Sequence, residues 1–468
     1  MGHPGGRPRA SAGRGGLLTD LYELNMAAIY LRRRMVGPAT FSLFVRELPP
    51  DRGFLVAAGL EDCLAFLEGF RFADDELEWL GATLGLDDAT LAAFAGLRFS
   101  GDVWAVPEGR VVLAGEPLLE VTAPIAEAQL VETALLNEIT FQTAVAAKAA
   151  RCRLAANGAE LVDFAFRRTQ GVDAAMAVAR CSAMVGFAAT SNVAAARRYG
   201  LSAAGTMAHS FIEAFSDEHA AFRAFAEAFP SRSTFLVDTY DTVGGVRAAV
   251  RVIGELGLRE RLGIRLDSGD LGALAVAARR LLDRSGLRGV RIFASGGLDE
   301  FTIERLVAAG APIDAFGVGT RVGVSADAPY LDTAYKLVQF GSRPIMKLSA
   351  GKVNAPGPKQ VLRGAPGQGD LLGERDEPAP SGSEPLLVPV VLGGRRVGDG
   401  GDLAAASARF EADLAWLPPA ALVLKDPLPP PVRESERLAR LRERVQTELR
   451  GRYAAASPVG TDPPADQH

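Results

Sequence analysis

The sequence predicts an α/β protein built around a (β/α) barrel. Between about residues 160 and 324, short β-prone runs such as LVDFAF and GIRLD alternate with helix-forming runs. Seven such β runs occur, most of them followed by a helix, and this alternation is typical of parallel sheets with crossover helices. Seven units fit a barrel, complete or incomplete, better than a doubly wound sheet, although the pattern alone leaves both open.

Before the barrel, the chain combines a helix, short strands and a long helix. LLTDLYELNMAAIYLRR predicts a helix that begins near Thr19 or Asp20, and FSLFVREL predicts a strand. Pro-x-Gly and Gly-Glu-Pro turns divide DVWAVPEGRVVLAGEPLLEVTAP into short β runs. A long helix rich in Ala, Leu and Glu follows from about residue 125 to 157.

In the barrel region, the sequence predicts strands that alternate with helices. We expect strands at LVDFAF, FAAT, LSAAGTMA, STFLVD, GIRLD, VRIFAS and IDAFGVG. We expect helices at DAAMAVARCSAMVG, NVAAARRYG, HSFIEAF, SDEHAAFRAFAEAF, TVGGVRAAVRVIGEL, LGALAVAARRLLDRSG and DEFTIERLVAAG.

After the barrel, KLVQF and RPIMKLS predict strands, RGAPGQGDLLGERDEPAPSGSEP predicts a loop, and RESERLARLRERVQTELRGRY predicts a helix whose charges are solvated. No function is assigned to the loop at 365–385. The regions predicted are a disordered tail at 1–16, an N-terminal α/β part with its linking helix at 17–157, the barrel at 158–334, a C-terminal segment at 335–455 and a disordered tail at 456–468.

The amino-acid composition excludes several classes of protein function. The 468 residues are 48% hydrophobic, which permits a packed core, and the net charge of −5 argues against a general nucleic-acid binder. Three widely spaced cysteines favour a reducing, cytoplasmic compartment over a disulfide framework or a cysteine zinc site. The N-terminus lacks the apolar core of a secretory signal, and no apolar run approaches the ~20 residues of a membrane span, so no membrane partner is expected.

Polar residues follow each β run, at positions that share the catalytic face of a barrel. They are Arg167 and Arg168; Thr190, Ser191 and Asn192; Thr206 and His209; Asp238 and Asp241; Arg265, Asp267 and Ser268; Ser295, Gly296 and Gly297; and Gly317, Gly319 and Thr320. Turns and helix caps explain Asn192 and Ser268, but arginines are neither turn formers nor N-caps.

The chemistry of this set points to an anionic ligand. Its three arginines can form paired hydrogen bonds with phosphate or carboxylate, and its three aspartates can hold Mg²⁺ or ribose hydroxyls. SGG and GVGT, after the last two β runs, allow backbone N–H groups to approach phosphate where barrels often bind it, although neither is a P-loop. The face is therefore predicted to bind a phosphorylated, sugar-like molecule.

His209 has two interpretations. Of the four histidines, His3 and His468 lie in the tails, and His219 has the acidic neighbours of a surface helix residue. His209, in GTMAHSF, is either a helix-start residue bonded to a neighbour or a nucleophile or proton carrier, since the reference pKa of an imidazole is about 6.5. Its small neighbours leave room for a ligand, which favours the second interpretation.

Eight motifs together resemble the nicotinate phosphoribosyltransferase family of type II phosphoribosyltransferases. In chain order they are TDLYELNMA, LVDFAFRRTQG, ATSNV, GTMAHSF, FLVDTYDT, IRLDSGDL, FASGGLDE and AFGVGTRVGVS, and with YKLV and IMKLS the similarity runs from about Leu17 to Leu449. The resemblance implies an incomplete barrel and an N-terminal α/β sandwich-like domain completed by C-terminal segments. It implies ATP-coupled conversion of nicotinate and phosphoribosyl pyrophosphate to nicotinate mononucleotide and pyrophosphate in NAD biosynthesis, by a homodimer with shared active sites.

The resemblance also implies roles for particular residues. His209 would be phosphorylated by ATP, and Asp238 and Asp267 would lie near Mg²⁺, the ribose hydroxyls or the histidine. Tyr22 of the neighbouring subunit and Phe164 would stack on the nicotinate ring, whose carboxylate region Arg265 and Thr206 would recognise. Phosphate groups would be held by Arg167, Arg168, Ser295, Gly296, Gly297, Gly319 and Thr320.

Two departures and several alternatives accompany this resemblance. Ala165 replaces a glycine that the family usually carries, which could tighten its loop, and the cysteines of a zinc site found in some members are missing. The alternatives are a nicotinamide-specific relative, a quinolinate phosphoribosyltransferase, a barrel isomerase acting on a sugar phosphate, and a non-catalytic binding protein. The intact set of His209, arginines and aspartates argues against the last.

Overall fold

The computed structural model of the chain describes residues 15–348, 354–398 and 402–454. It forms two hydrophobic cores, one in the barrel and one in a domain that the N-terminal and C-terminal parts of the chain build together. The fold class predicted from the sequence is confirmed. Both tails lie largely outside the described residues, as does Ser349 at the end of RPIMKLS.

The first 156 residues supply six helices and five strands within the described range. The helices are α1 (Leu21–Arg32), α2 (Leu60–Gly69), α3 (Asp74–Leu84), α4 (Asp88–Ala95), α5 (Ile125–Leu130) and α6 (Glu132–Ala156). The strands are β1 (Pro38–Val45), β2 (Leu55–Val56), β3 (Asp102–Ala105), β4 (Val111–Val112) and β5 (Pro117–Pro124). The long helix expected at 125–157 is therefore two helices, which meet at Val131.

The barrel region supplies six strands and eight α-helices. The strands are β6 (Glu160–Asp163), β7 (Ala189–Thr190), β8 (Thr234–Leu236), β9 (Gly263–Leu266), β10 (Arg291–Ala294) and β11 (Ala315–Val318). The helices are α7 (Val172–Met184), α8 (Val193–Tyr199), α9 (His209–Glu213), α10 (Glu218–Ala228), α11 (Thr242–Glu255), α12 (Leu271–Arg284), α13 (Glu300–Ala308) and α14 (Thr320–Gly323), and a 3₁₀ turn spans Phe166–Arg168.

The C-terminal part returns to the first domain. Its strands are β12 (Thr333–Phe340), β13 (Arg343–Pro344), β14 (Lys359–Arg363), β15 (Asp370–Glu374), β16 (Glu384–Pro385), β17 (Val388–Leu392), β18 (Arg395–Arg396) and β19 (Val432–Glu434). Its helices are α15 (Leu403–Trp416), α16 (Pro419–Leu422) and α17 (Glu436–Ala454). The loop expected from the Gly- and Pro-rich stretch was partly wrong, because β15 crosses it between β14 and β19.

A seven-stranded sheet joins the two ends of the chain in the order β13-β12-β1-β5-β3-β17-β18. The central strand β1 pairs antiparallel with β5 on one side and with β12 on the other, so that Leu43 lies opposite both Leu119 and Tyr335. Leu438, Leu441 and Val445 of α17 pack into the core of this domain. The domain is thus completed by segments that follow the barrel in sequence.

The barrel sheet is parallel and open. Its strand order is β7-β6-β11-β10-β9-β8, and beyond β7 a single bridge joins Thr190 to Ala203. A full strand at LSAAGTMA was therefore a wrong prediction, since small side chains and Gly205 offer little cross-strand packing. Within residues 158–334, all of which are described, no strand pair joins Ala203 to β8, and α9 begins in this gap.

Helix α6 connects the two cores. Leu135 and Ile139 lie in the N-terminal core, whereas Ala149 and Cys152 lie in the barrel core. Its alanine-rich sequence suits this position, because alanine favours helix and lets neighbouring elements approach closely. One helix thereby fixes the orientation of the barrel relative to the first domain.

A buried ion-pair network reinforces this connection. Lys148 of α6 is 2% exposed, and its Nζ lies 2.5 Å from Glu300 Oε2 at the start of α13 and 2.9 Å from Asp327 Oδ1. Arg151 reaches Glu300 Oε1 at 2.9 Å, and Arg52 reaches Asp327 at 3.0 Å. Burial of so many charges is tolerated only because each one has an opposite partner.

All three cysteines are free and fully buried. Burial raises the pKa of the Cys63, Cys152 and Cys181 thiols. None of the helices in the described ranges has the length and apolar character that a bilayer crossing requires.

Replacing Lys148 by Met should lower the free energy of unfolding by about 3–5 kcal/mol, because Glu300 and Asp327 would lose a buried cation. The matched control is Arg440→Met, which removes a surface pair with Glu436 and should change the free energy by less than about 0.5 kcal/mol. Urea unfolding followed by circular dichroism measures both. Equal effects of the two substitutions would contradict the role given to the network.

Candidate active site

A pocket of about 430 Å³ opens at the carboxyl ends of the barrel strands. This volume lies within the ~300–1,000 Å³ usual for small-ligand sites. Its lining residues are Phe164, Phe166, Arg167, Ser191, Gly205, Thr206 and Arg265. Four of the residues that the sequence singled out for substrate binding therefore lie together: Phe164, Arg167, Thr206 and Arg265.

The loop that carries Phe164 and Arg167 is fixed by a buried carboxylate. Asp163 is 1% exposed, accepts a hydrogen bond from the Ala165 N–H at 2.8 Å and accepts another from the Thr190 hydroxyl at 2.6 Å. Burial raises the pKa of Asp163, against the effect of these two hydrogen bonds. Asp163 thus ties the loop after β6 to the loop after β7, which carries Ser191.

Two glycines leave room for Phe164, which lines the pocket, and for its neighbour Ala165. A Cβ on Gly317 would lie 2.6 Å from the Phe164 ring, and a Cβ on Gly323 would lie 2.8 Å from the Ala165 methyl group. Ala165 is fully buried, and its methyl fits because residue 323 has no side chain. The side chain of Ala165 is accommodated in this way.

Arg265 connects three loops at the pocket wall. Its guanidinium donates to Ser295 Oγ at 2.7 Å, to Asp267 Oδ1 at 2.6 Å and to Thr206 Oγ1 at 3.2 Å. The same group lies 5.3 Å from the centre of the Phe164 ring, within cation–π distance. A planar ligand that stacks on Phe164 would therefore lie beside a fixed positive charge.

Two aspartates follow one another around the rim. Asp267 is half-buried, which raises its pKa, but hydrogen bonding from Ser295 and the charge of Arg265 outweigh burial and hold the pKa below its usual value. Asp238 Oδ2 accepts from the Asp267 N–H at 2.9 Å and from the Ser268 hydroxyl at 2.6 Å. Asp238 Oδ1 is buried, and no described residue hydrogen bonds to it. The Asp267 carboxylate therefore stays ionised beside the pocket, with Asp238 next to it.

His209 begins α9 at the gap in the barrel, with 41% of its side chain exposed. Its Nδ1 lies 3.2 Å from Thr239 Oγ1, and its Nε2 lies 3.9 Å from Asp267 Oδ2. Sequence reasoning did not single out Thr239. Its position between Asp238 and Asp241, in the loop after a β run, was the available signal.

The loop after β10 is packed on the loop after β9. Gly296 has a φ of +92°, and a Cβ there would lie 1.8 Å from the Asp267 carbonyl oxygen. Gly297 also has a positive φ, of +66°, but has no atom within 4 Å of a Cβ. Buried Ser295 precedes this pair and donates to Asp267, so backbone and side chain both hold the two loops together.

Other expected site residues do not line the pocket. Arg168 is exposed in the 3₁₀ turn beside Arg167, and Gly319 and Thr320 lie at the start of α14 after the neighbouring strand β11. Tyr22 lies in the other domain, on α1, which packs on α4 and α5. Its side chain is 48% exposed, and burial together with Glu132 and Glu23 raises its pKa.

Among the described residues no group of three or more His, Cys, Asp or Glu side chains could hold a metal ion. Mg²⁺ does not require three ligating side chains, because it commonly binds through one or two carboxylates together with water and substrate phosphates. Asp238 and Asp267, with the unpaired Oδ1 of Asp238, fit that requirement.

Replacing Gly296 by Ala should lower the free energy of unfolding by about 2–4 kcal/mol, because the methyl overlaps the Asp267 carbonyl and the positive φ is strained. Gly297→Ala is the control with strain alone, and it should cost about 1 kcal/mol. Urea unfolding of both variants gives the comparison. A loss of equal size in both would mean that the loop contact at Gly296 is unimportant.

Family models match both domains of the chain. Residues 17–140 match the nicotinate phosphoribosyltransferase N-terminal domain, and residues 159–341 match the nicotinate phosphoribosyltransferase family. A nicotinate phosphoribosyltransferase of Mycobacterium tuberculosis, pncB2, is 51% identical over 387 residues, covering 82% of this chain and 83% of the relative. The nicotinate phosphoribosyltransferase of Bacillus subtilis is 42% identical over 356 residues, covering 74% and 72%.

The solved structures agree with the sequence relatives. The crystal structure of human nicotinic acid phosphoribosyltransferase covers 92% of this chain and all of its own with a TM-score of 0.81 at 31% identity. That of a nicotinate-nucleotide pyrophosphorylase from Pyrococcus furiosus covers 88% of this chain and 97% of its own, with a TM-score of 0.73 at 25% identity. With family models over both domains and a relative 51% identical over most of both chains, the chain belongs to the nicotinate phosphoribosyltransferase family and is an enzyme of NAD biosynthesis.

Proposed function

We propose that this enzyme transfers the phosphoribosyl group of phosphoribosyl pyrophosphate to nicotinate, and that ATP hydrolysis drives the transfer through a phosphorylated His209. The products are nicotinate mononucleotide, pyrophosphate, ADP and phosphate. One observation carries the proposal. An aromatic pocket with two arginines in its wall lies beside a half-exposed histidine, and Arg265 and Asp267 form the bridge between pocket and histidine.

Two features of the pocket wall support nicotinate binding. The Phe164 ring offers one face for stacking, and Arg265, 5.3 Å from the ring centre, offers charge for the carboxylate. The contacts of Arg265 Nη1 with Thr206 and with the Met207 carbonyl are long, at 3.2 and 3.5 Å, so this nitrogen can turn toward a ligand. A charged recognition group favours nicotinate over uncharged nicotinamide.

Phosphate binding is assigned to two other groups of residues. Arg167 and Arg168 are exposed, and neither forms an ion pair with another described residue, so both can bind pyrophosphate. Ser295, Gly296, Gly297, Gly319 and Thr320 lie after the adjacent strands β10 and β11, where backbone N–H groups can hold the 5′-phosphate.

Transfer requires positioning and charge stabilisation. The C1 carbon of the ribose becomes cationic as pyrophosphate leaves, and the ionised Asp267 supports that charge and orients the ribose hydroxyls. Asp238 holds Asp267 in place by accepting a hydrogen bond from the Asp267 backbone N–H. Both carboxylates would hold Mg²⁺, which when bound neutralises phosphate charge.

His209 accepts the γ-phosphoryl group of ATP in this proposal. An imidazole nitrogen is a competent nucleophile near neutral pH, and the gap in the barrel sheet leaves this side chain accessible. Water later removes the phosphoryl group, so that each turnover consumes ATP without transferring phosphate to the product.

A homodimer would complete the site. Tyr22 does not line the pocket of its own chain. Leu18, just before α1, and Leu21 and Tyr22, at its start, are each about half exposed, at 48%, 52% and 48%. An exposed apolar group of this kind is suited to burial against a second copy. The Tyr22 ring of one protomer would then stack on nicotinate in the other.

The reaction is tested by measuring nicotinate mononucleotide formation from nicotinate and phosphoribosyl pyrophosphate with Mg²⁺, with and without ATP. ATP should stimulate the wild type, and His209→Ala should abolish the stimulation, because its acceptor nitrogen is gone. The control is His219→Ala, since His219 pairs with Glu255 on the surface of α10 and α11.

The controls separate the parts of the proposal. ATP stimulation that survives in His209→Ala would refute the phosphohistidine mechanism. Equal use of nicotinamide in place of nicotinate would refute the specificity. Failure of both pyridines to react would refute the phosphoribosyl transfer itself.

Site sharing is tested by mixing Tyr22→Ala and His209→Ala subunits in forced heterodimers. If Tyr22 acts across the interface, one of the two sites carries both defects and the other carries neither. Activity should then recover to about half of the wild-type level. Mixed dimers no more active than the parent variants would show that Tyr22 acts within its own subunit or not at all.

A further inference from the structure

The hydrogen bond between His209 and Thr239 bears on which imidazole nitrogen reacts. Thr239 Oγ1 lies 3.2 Å from Nδ1, whereas the carboxylate nearest to Nε2, that of Asp267, is 3.9 Å away. The first distance is a hydrogen bond and the second is too long for one. The ring is therefore held by its Nδ1 side.

Hydrogen bonds fix the chain on both sides of Thr239. The preceding residue, Asp238, accepts hydrogen bonds from Asp267 N–H and Ser268 Oγ in the neighbouring loop. Two residues later, Asp241 caps α11 by accepting from the Gly244 N–H at 2.6 Å. A hydroxyl between two such anchors is a fixed partner for the imidazole, which is what a positioned nucleophile requires.

The hydroxyl can accept a proton from Nδ1 or donate one to it. If it donates, the Nδ1 lone pair is occupied and Nε2 carries the proton, so neither nitrogen is free to attack. If it accepts, Nδ1 keeps its proton and the Nε2 lone pair is free. Asp267, the ionised carboxylate that Nε2 faces, forms an ion pair with Arg265 at 2.6 Å, and the arginine's positive charge lowers the repulsion of an incoming phosphate.

We infer that Thr239 is a positioning residue for His209, whose hydroxyl accepts the Nδ1 proton and so makes Nε2 the atom that takes the phosphoryl group. This inference rests on the proposed function. The Nε2–P bond forms while the bond from the γ-phosphorus to its bridging oxygen breaks, and ADP leaves with the electron pair. The Nδ1 proton stays on the ring, hydrogen bonded to Thr239.

The first test needs no turnover. ¹⁵N chemical shifts of the histidine rings in the unliganded wild type distinguish the two tautomers, and the signals that vanish in His209→Ala are those of His209. A ring protonated on Nδ1 supports the inference, and a ring protonated on Nε2 overturns it. Thr239→Val should increase the share of the Nε2 tautomer, because the acceptor is lost.

The second test follows phosphorylation by ATP. Thr239→Val should form phosphohistidine about 10-fold more slowly, the factor expected for loss of one ordinary hydrogen bond, whereas Thr239→Ser should stay within about twofold of the wild type. The ATP-stimulated kcat should fall in Thr239→Val while the KM for nicotinate is unchanged. Thr302→Val, which removes a surface hydroxyl bonded to Arg305, is the matched control for the substitution itself.

The outcomes are distinct. Absence of phosphohistidine in the wild type refutes the proposed ATP mechanism and this inference with it. Phosphohistidine that forms equally fast in wild type and Thr239→Val, or that ³¹P spectra place on Nδ1, overturns the role of Thr239 alone. Because the wild-type tautomer is measured without any substitution, a Thr239→Val protein that fails to fold leaves the inference falsifiable.

Discussion

The architecture depends on the buried ion pairs that α6 makes with the barrel. Lys148 and Arg151 both reach Glu300, in the first turn of α13, and Glu300 follows the Ser295–Gly297 loop by three residues. The helix that completes the first core therefore also fixes one end of a loop at the active site. A chain in which these charges were unpaired would lose domain orientation and loop position together, since an unpaired buried ion costs several kcal/mol.

The site itself is built by contacts between loops rather than by any one element. Arg265 joins the loops after β9 and β10 and the segment before α9, Asp163 joins those after β6 and β7, and Asp238 joins those after β8 and β9. The strands are short, so their ends alone leave the loops free to move. These side-chain links supply the precision that phosphoribosyl transfer needs, since small displacements are costly to catalysis.

Most of the fold could be predicted from the sequence because its signals are local. The alternation of short apolar runs with helical runs identified six of the barrel strands, and glycines and polar residues marked where each strand ends. The segment LSAAGTMA was misread as a strand, because its apolar character resembles one while its small side chains support only one bridge. Strand β15 was missed because its partners, β14 and β19, are brought together only by tertiary folding.

In the site, too, local sequence signals identified some residues but not the contacts made by folding. Arg167, Thr206 and Arg265 could be named from their positions after β runs, and Phe164 from the family resemblance. The structure brings all four to one pocket. Thr239 could not be assigned a role, because its partner is thirty residues away and a threonine before a helix has an ordinary capping explanation. It is likewise visible only in three dimensions that Arg265 is paired with a carboxylate and that Arg167 and Arg168 are not paired with any described residue.

The complete burial of the three cysteines has a practical consequence. Thiol reagents react with the thiolate, and burial both shields these sulfurs and opposes their ionisation. A cysteine introduced at an exposed position would thus be modified by a maleimide far faster than the native ones. Fluorescent labels could be placed singly, without first removing any natural residue, to measure the movement of the loops around the pocket.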